Sequence, residues 1–326
     1  MRYQIYFFIT FSIFLFSSCQ QSDPRLFNIE KEVKAEQAAV VTAHPLASKI
    51  GLDILKKGGN AIDAAIATQF ALAVTYPVAG NIGGGGFMIV RLKSGETAAL
   101  DFREKAPAAA TRDMYLDSLG NVIKDLSIHG HLAAGVPGAV DGMFKAFEKY
   151  SQLKDFKQLI APSIELALKG FPVTELQASR LNKHQSSMKK HNTKMPIFVK
   201  EGGWKKGDLL IQTDLAATLQ RIHDHGEAGF YEGPVADKIV AEMKAGKGII
   251  SHQDLKDYDA VWRKPMEGKY KDYSIISMPP PSSGGIALLQ LLEMVQPYPL
   301  KSWGFQSTAT VHLMTCLLYT SPSPRD

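Results

Sequence analysis

Four consecutive glycines, Gly83 to Gly86, stand directly before Phe87-Met88-Ile89-Val90-Arg91-Leu92. A phosphate-cradling glycine loop runs into a helix and carries Lys and Ser/Thr at once after its last glycine. Here apolar strand formers follow, so the run leads into a strand. The strand–glycine–helix order of a dinucleotide fingerprint is missing for the same reason. What remains is backbone that packs closely or turns through positive φ. The pattern predicts a hairpin: a strand over 87–92, a turn at Lys93-Ser94-Gly95-Glu96, and a second strand over 97–104. On that second strand Ala98, Leu100 and Phe102 share one face, and Asp101 and Arg103 share the other. Such a polar face is either a solvated edge, with Arg103 and Asp101 as a salt bridge, or the wall of a site.

Around the hairpin the chain reads mostly as helix. Val40-Val41-Thr42 reads as a first short strand. A helix from Pro45 to Lys57 closes at Gly58-Gly59. Asn60 is placed to cap the next helix, on which Ile62, Ile66, Phe70 and Val74 repeat every four residues among many alanines. Pro77 ends it. Further helices are expected over 139–149, 157–169, 176–188, 214–223 and 235–244, with a capping box at Ser251-His252-Gln253-Asp254. Two strands follow over 266–270 and 273–277. Pro279-Pro280-Pro281-Ser282-Ser283-Gly284-Gly285 is a turn that opens a helix over 286–295, and a last helix begins near Ser307. Ser282 and Ser283 lack the Gly-x-Ser-x-Gly context of a nucleophile and read as cap and turn residues. His44 reads as a packed or capping residue. His129 and His131 form an isolated pair with no third ligand nearby in sequence, which favours a loop pair with no ligand role over a metal site.

The chain has 326 residues, 45% hydrophobic and 21% charged, with a net charge of +5. Its lysines are mixed with acids and form no aromatic-interleaved basic block, so nucleic acid is not an expected partner. The first residues are a charged start, an apolar run from Ile5 to Phe16 and Ser17-Ser18-Cys19. This is the anatomy of a secretory signal. A cysteine after the small residues predicts a bacterial lipoprotein: signal over 1–19, Cys19 as the lipidated residue, a tether over 20–38, and residence in the periplasm or outer membrane. The other cysteine, Cys316, has no evident disulfide partner.

Five stretches carry a family resemblance. "GGNAIDAAIATQFALAVTYPVAGNIGGGGFMIV", "LDFREKAP", "GVPG", "GFYEGPVADKI" and "YSIISMPPPSSGGIALLQLLEM" follow in one order over roughly Ala39 to Met314. In that order they closely resemble the large-subunit region of γ-glutamyltransferases, here 39–315. The resemblance implies an α+β fold, the αββα four-layer sandwich of N-terminal-nucleophile hydrolases, incomplete without the small-subunit half. It implies a precursor that cuts itself, so that a new N-terminal threonine attacks the γ-glutamyl carbonyl with its own α-amine as base. Glutathione and other γ-glutamyl compounds are then the donors, water, amino acids or peptides the acceptors, and the protein's own small subunit a partner. No metal or organic cofactor is implied. It also gives Arg103 a role, binding the α-carboxylate of the γ-glutamyl group, as a guanidinium is suited to do. In the same fold a cephalosporin or glutaryl acylase is the alternative; a non-catalytic surface lipoprotein is another.

The resemblance stops near Thr315, and 316–326, with Pro322 and Pro324, reads as a foreign tail. No catalytic residue is then expected within the chain, since the threonine lies past the matched stretch. The purified 1–326 chain is therefore expected neither to cleave itself nor to release p-nitroaniline from γ-glutamyl-p-nitroanilide, which a gel and a colorimetric assay would check.

Overall fold

The structure, a computed structural model, describes residues 34–320. His44 starts the first helix, α1 (Pro45–Lys56), by accepting a hydrogen bond on its ring from the Leu46 N–H at 3.3 Å. The ring is buried edge-on to Phe171, and burial lowers its pKa to about 4, so it stays neutral. This is the capping and packing role expected of it. The second helix, α2 (Ala61–Thr75), opens with a reciprocal cap: Asn60 Oδ1 accepts from the Ile62 and Asp63 N–H groups, and Asp63 Oδ2 accepts from Asn60 N. Ile62, Ile66, Phe70 and Val74 are buried as expected, but so are Ala64, Ala67, Ala71 and Ala73. The helix is covered nearly all round, by α1 on one side and later helices on others. Its alanines permit that close approach.

The hairpin follows: β1 (Phe87–Arg91) and β2 (Thr97–Asp101), antiparallel from Phe87 opposite Asp101 to Arg91 opposite Thr97. Next come α3 (Ala139–Tyr150), α4 (Phe156–Lys169), the short β3 (Phe171–Pro172), α5 (Glu175–His191) and the short β4 (Leu209–Leu210). Then follow α6 (Thr213–His225), α7 (Ala228–Tyr231), α8 (Gly233–Ala245), α9 (His252–Lys256) and β5 (Val261–Arg263). The described chain closes with β6 (Met266–Tyr270), β7 (Tyr273–Ser277), α10 (Gly284–Val295), α11 (Leu300–Trp303) and α12 (Thr308–Thr320).

The three-stranded antiparallel sheet has the order β1–β2–β5, while β6 and β7 form a separate hairpin against α10. The core joins α2, α4 and α6. At its centre Phe156 stacks on Phe144 at 3.9 Å and meets Phe70 edge-on at 5.8 Å. The α+β class is as expected. One strand is not: Val40 to Thr42 has no ladder partner among the described residues and is irregular. A strand needs a neighbour to satisfy its backbone, whatever its propensity. β1 is an edge with Phe87 and Ile89 each 38% exposed, and Val311, Met314 and Leu318 on α12 are also exposed.

Asp63 ties two helices together. Fully buried, it accepts from Asn60 N and Gln152 N and from the Ser151 hydroxyl at the end of α3. Replacing it strands the buried Ser151 hydroxyl, at about 1–3 kcal/mol, and removes the partner of the two less buried backbone donors. Asp63→Ala is expected to lower stability by roughly 3 kcal/mol in urea denaturation, and Asp63→Asn by less.

Candidate functional site

The segment after β2 is held by more than strand pairing. Past Asp101 the ladder makes one further rung, in which Gly86 and Phe102 exchange N–H···O bonds of 3.2 and 3.1 Å. Lys105 and Val136 do the same at 3.2 and 2.8 Å. Arg103 stands between these rungs. Its N–H donates to Asp101 Oδ1 at 3.1 Å, and its carbonyl accepts from the Tyr258 hydroxyl at 2.7 Å. The backbone of Arg103 therefore has both of its polar groups engaged.

The glycines make this possible. A Cβ on Gly85 would lie 2.4 Å from Phe102 O and 2.7 Å from Glu104 N. Those are backbone atoms that cannot swing aside, so only glycine lets the two segments touch. The Gly84 carbonyl accepts from Gly138 and Ala139 N–H at 2.8 and 2.9 Å, which engages the N-cap and first helical N–H groups of α3. The glycine run, the 101–105 segment, the 135–139 segment and Tyr258 are thus one packed cluster.

The side chains depart from the alternation expected of β2. Asp101 is buried and pairs with Arg263 Nε at 2.8 Å. β5, which the sequence did not announce, covers the strand on its far side and supplies that arginine. The strand also ends at Asp101, not Glu104. The Arg103 guanidinium is exposed, and its one hydrogen bond among the described residues is a long one, Nη1 to the Pro281 carbonyl at 3.4 Å. No carboxylate among the described residues lies within ion-pair distance of it. The Asp101–Arg103 salt bridge of the alternative reading is therefore not formed, and the guanidinium lies beside the turn that opens α10.

Other candidate residues fall as follows. Ser282 Oγ accepts from Gly284 N at 3.3 Å, a turn role; Ser283 sits at the N-cap of α10 but makes no side-chain capping bond. His131 Nε2 meets Glu242 at 2.8 Å, and His129 stacks on His191. Among the described residues no group of three His, Cys, Asp or Glu is placed to hold a metal. Cys19 lies outside the described residues. Cys316 lies on α12, which runs on through Thr320.

Beneath Arg103 is a layer that pattern reading missed. The Tyr258 ring stacks flat on Tyr231, with centroids 6.0 Å apart. Tyr231 donates to the Pro137 carbonyl at 2.9 Å and accepts from Asp141 N at 3.3 Å. Burial raises both phenols well above their ordinary pKa, so each remains a donor. Asp141, buried in the first turn of α3, accepts from Ala260 N at 2.5 Å. Glu227, just before α7, is hydrogen-bonded to Asp141, and burial followed by that bond pushes its pKa up to about 8. Glu227 therefore keeps its proton at neutral pH.

The comparisons agree with one another. The family model described as gamma-glutamyltranspeptidase matches residues 47–318. A glutathione hydrolase proenzyme of Pseudomonas sp. strain A14 is 49% identical over 293 residues, covering 88% of this chain and 51% of that protein. The crystal structure of Helicobacter pylori gamma-glutamyltranspeptidase superposes with a TM-score of 0.86 at 45% identity, covering 89% of this chain and 83% of that one. An acylase proenzyme, ACY 1 of Pseudomonas sp. strain V22, is 36% identical over 87% of this chain and 52% of its own length. The chain spans about half the length of the curated relatives it matches.

The Glu227–Asp141 pair gives the support beneath Arg103 a pH signature. Glu227 holds its proton more tightly folded, near pH 8, than unfolded, near its ordinary 4.5. Its contribution to stability is full below the unfolded value and is lost as pH rises through about 8. The melting temperature is expected to fall between pH 6 and pH 9, and Glu227→Gln to flatten that fall; an unchanged slope in the variant would assign the dependence to other groups.

Proposed function

We infer the activity from one premise: the chain belongs to the gamma-glutamyltranspeptidase family. It supplies the large-subunit region of such a protein. The function proposed is transfer of a γ-glutamyl group from glutathione or a similar donor to water, an amino acid or a peptide. The observation that supports it is Arg103: an exposed, uncompensated guanidinium on a backbone fixed on both sides.

A guanidinium offers parallel N–H donors to a carboxylate, which fixes orientation as well as charge. In a γ-glutamyl group the α-carboxylate and the reacting carbonyl are joined by a short carbon chain. Holding the carboxylate on Arg103 thus limits where the carbonyl can lie, and a pinned backbone makes that position reproducible. The carbonyl would then meet the nucleophile, the threonine that the family resemblance places in the rest of the proenzyme. Attack forms an ester and expels the donor's amine; water or an acceptor amine then takes the acyl group. The open β1 edge and the apolar side chains of α12 are surfaces the small subunit would cover.

A second reading has a specific observation behind it, the acylase relative at 36% identity. A glutaryl group also ends in a carboxylate, so Arg103 would serve either substrate. What separates them is the α-amine of the glutamyl group. The relative named as a glutathione hydrolase is the more similar of the two, and we rank the γ-glutamyl reading first. Export, with lipidation at Cys19 and residence in the periplasm or outer membrane of a bacterium, belongs to the same proposal and is supported by the N-terminal sequence alone.

The test is kinetic, on the complete proenzyme. Arg103→Ala should lose about 10- to 100-fold in kcat/KM on γ-glutamyl-p-nitroanilide, the worth of a charge-assisted hydrogen bond of roughly 1.5–3 kcal/mol. The 4-aminobutyryl anilide, which lacks the α-carboxylate, should be turned over equally slowly by both proteins. Equal losses on the two donors would show that Arg103 does not read the carboxylate. Faster turnover of a glutaryl anilide than of the γ-glutamyl one would put the acylase reading first.

A further inference from the structure

The net charge of +5 is unevenly placed. Read as contiguous runs the lysines look scattered, but the segment from Arg180 to Lys206 holds eight Lys and Arg against one carboxylate, Glu201. That is a net +7 in one segment, so the rest of the chain is net negative. The segment comprises most of α5 and the loop after it. Among the described residues only Lys200 of these cations is in an ion pair, with Asp208. Lys205 also lies near Asp208, and the other cations are in no ion pair among the described residues.

α5 explains how they are displayed. It spans Glu175–His191 and buries only Ala178 and Leu181. Leu176, Arg180, Lys183, Ser187 and Lys190 follow at alternating spacings of four and three, so they form one stripe along the helix. The stripe is about 21 Å long at 1.5 Å per residue. All of its residues are exposed, including Leu176 at 60%. In the following loop Met195 is 66% and Ile197 48% exposed, beside Lys194.

Exposed cations alone would suit any polyanion. Cations interleaved with exposed Leu, Met and Ile suit an anionic bilayer, where the charges meet lipid phosphates and the apolar tips enter the headgroup boundary. We propose that the outer face of α5 and the 192–206 loop form a docking surface for an anionic lipid bilayer. It is independent of the catalytic reading and of Cys19.

The experiment is flotation of the whole chain with phosphatidylcholine vesicles, with or without phosphatidylglycerol. Binding is expected only with phosphatidylglycerol, and is expected to be lost near 1 M salt, where the Debye length is about 3 Å. Reversing Arg180, Lys183 and Lys190 together to Glu should weaken it at least tenfold. Reversing the exposed Lys56, Lys57 and Lys93 to Glu should leave it within about twofold, because long-range attraction is screened. Leu176→Ser should weaken vesicle binding but leave binding to soluble polyphosphate unchanged. Circular dichroism checks that each variant folds, and Lys183→Glu alone serves if the triple variant does not. Equal flotation on both vesicle types, or equal loss in the two charge-reversed sets, would overturn the proposal. Binding to polyphosphate without vesicle binding would overturn it in favour of a soluble polyanion.

Discussion

The close approach of Gly84–Gly86 to the 102–105 segment is the constraint the rest of the site depends on. It requires the absence of a side chain at Gly85, because the nearest atoms there, Phe102 O and Glu104 N, are backbone. Once made, it orders three further things. Gly84 accepts from the first N–H groups of α3, Gly86 extends the ladder past β2, and Arg103 is left between two hydrogen-bonded rungs. Tyr258 then closes the arrangement from below by donating to the Arg103 carbonyl. A mobile arginine would lose entropy on binding a carboxylate; one whose backbone is fixed loses only that of its side chain.

Charge is used in two ways in this molecule. Asp63 and Asp101 are buried and fully engaged, one by backbone and hydroxyl donors and the other by Arg263. Glu227, its pKa raised by burial, is hydrogen-bonded to Asp141 beneath the tyrosine pair that supports the site. Arg103 and the stripe on α5 are the opposite case: exposed cations with no carboxylate to neutralise them. Buried charge needs a partner to exist at all, whereas exposed charge without one is available to a partner from outside.

Much of the helical architecture could be read from sequence, because its signals are local. Asn60, Ser251 and the run from Gly83 each act on neighbours within a few residues, and the structure places a cap, a cap and a strand entry there. The hairpin over β6 and β7 matched its predicted ends for the same reason. What could not be read was set by distant partners. Val40 to Thr42 has strand propensity but nothing to pair with. Asp101 was placed on the polar face with Arg103, but β5, from far along the chain, pairs with β2 and supplies Arg263 as the partner of its carboxylate. Tyr231, Tyr258 and Glu227 carry no local pattern that marks them as support for Arg103; only the fold brings them together. The charge of the 180–206 segment was present in the sequence, but it escaped a reading that looked for unbroken runs.

The central claim is that a pinned Arg103 anchors the α-carboxylate of the substrate. A structure of the complete proenzyme with L-glutamate bound tests it most directly. The account predicts both α-carboxylate oxygens within about 3 Å of the Arg103 guanidinium, with the 102–105 backbone unmoved. A carboxylate bound elsewhere, with Arg103 still turned to the Pro281 carbonyl or to solvent, would contradict it.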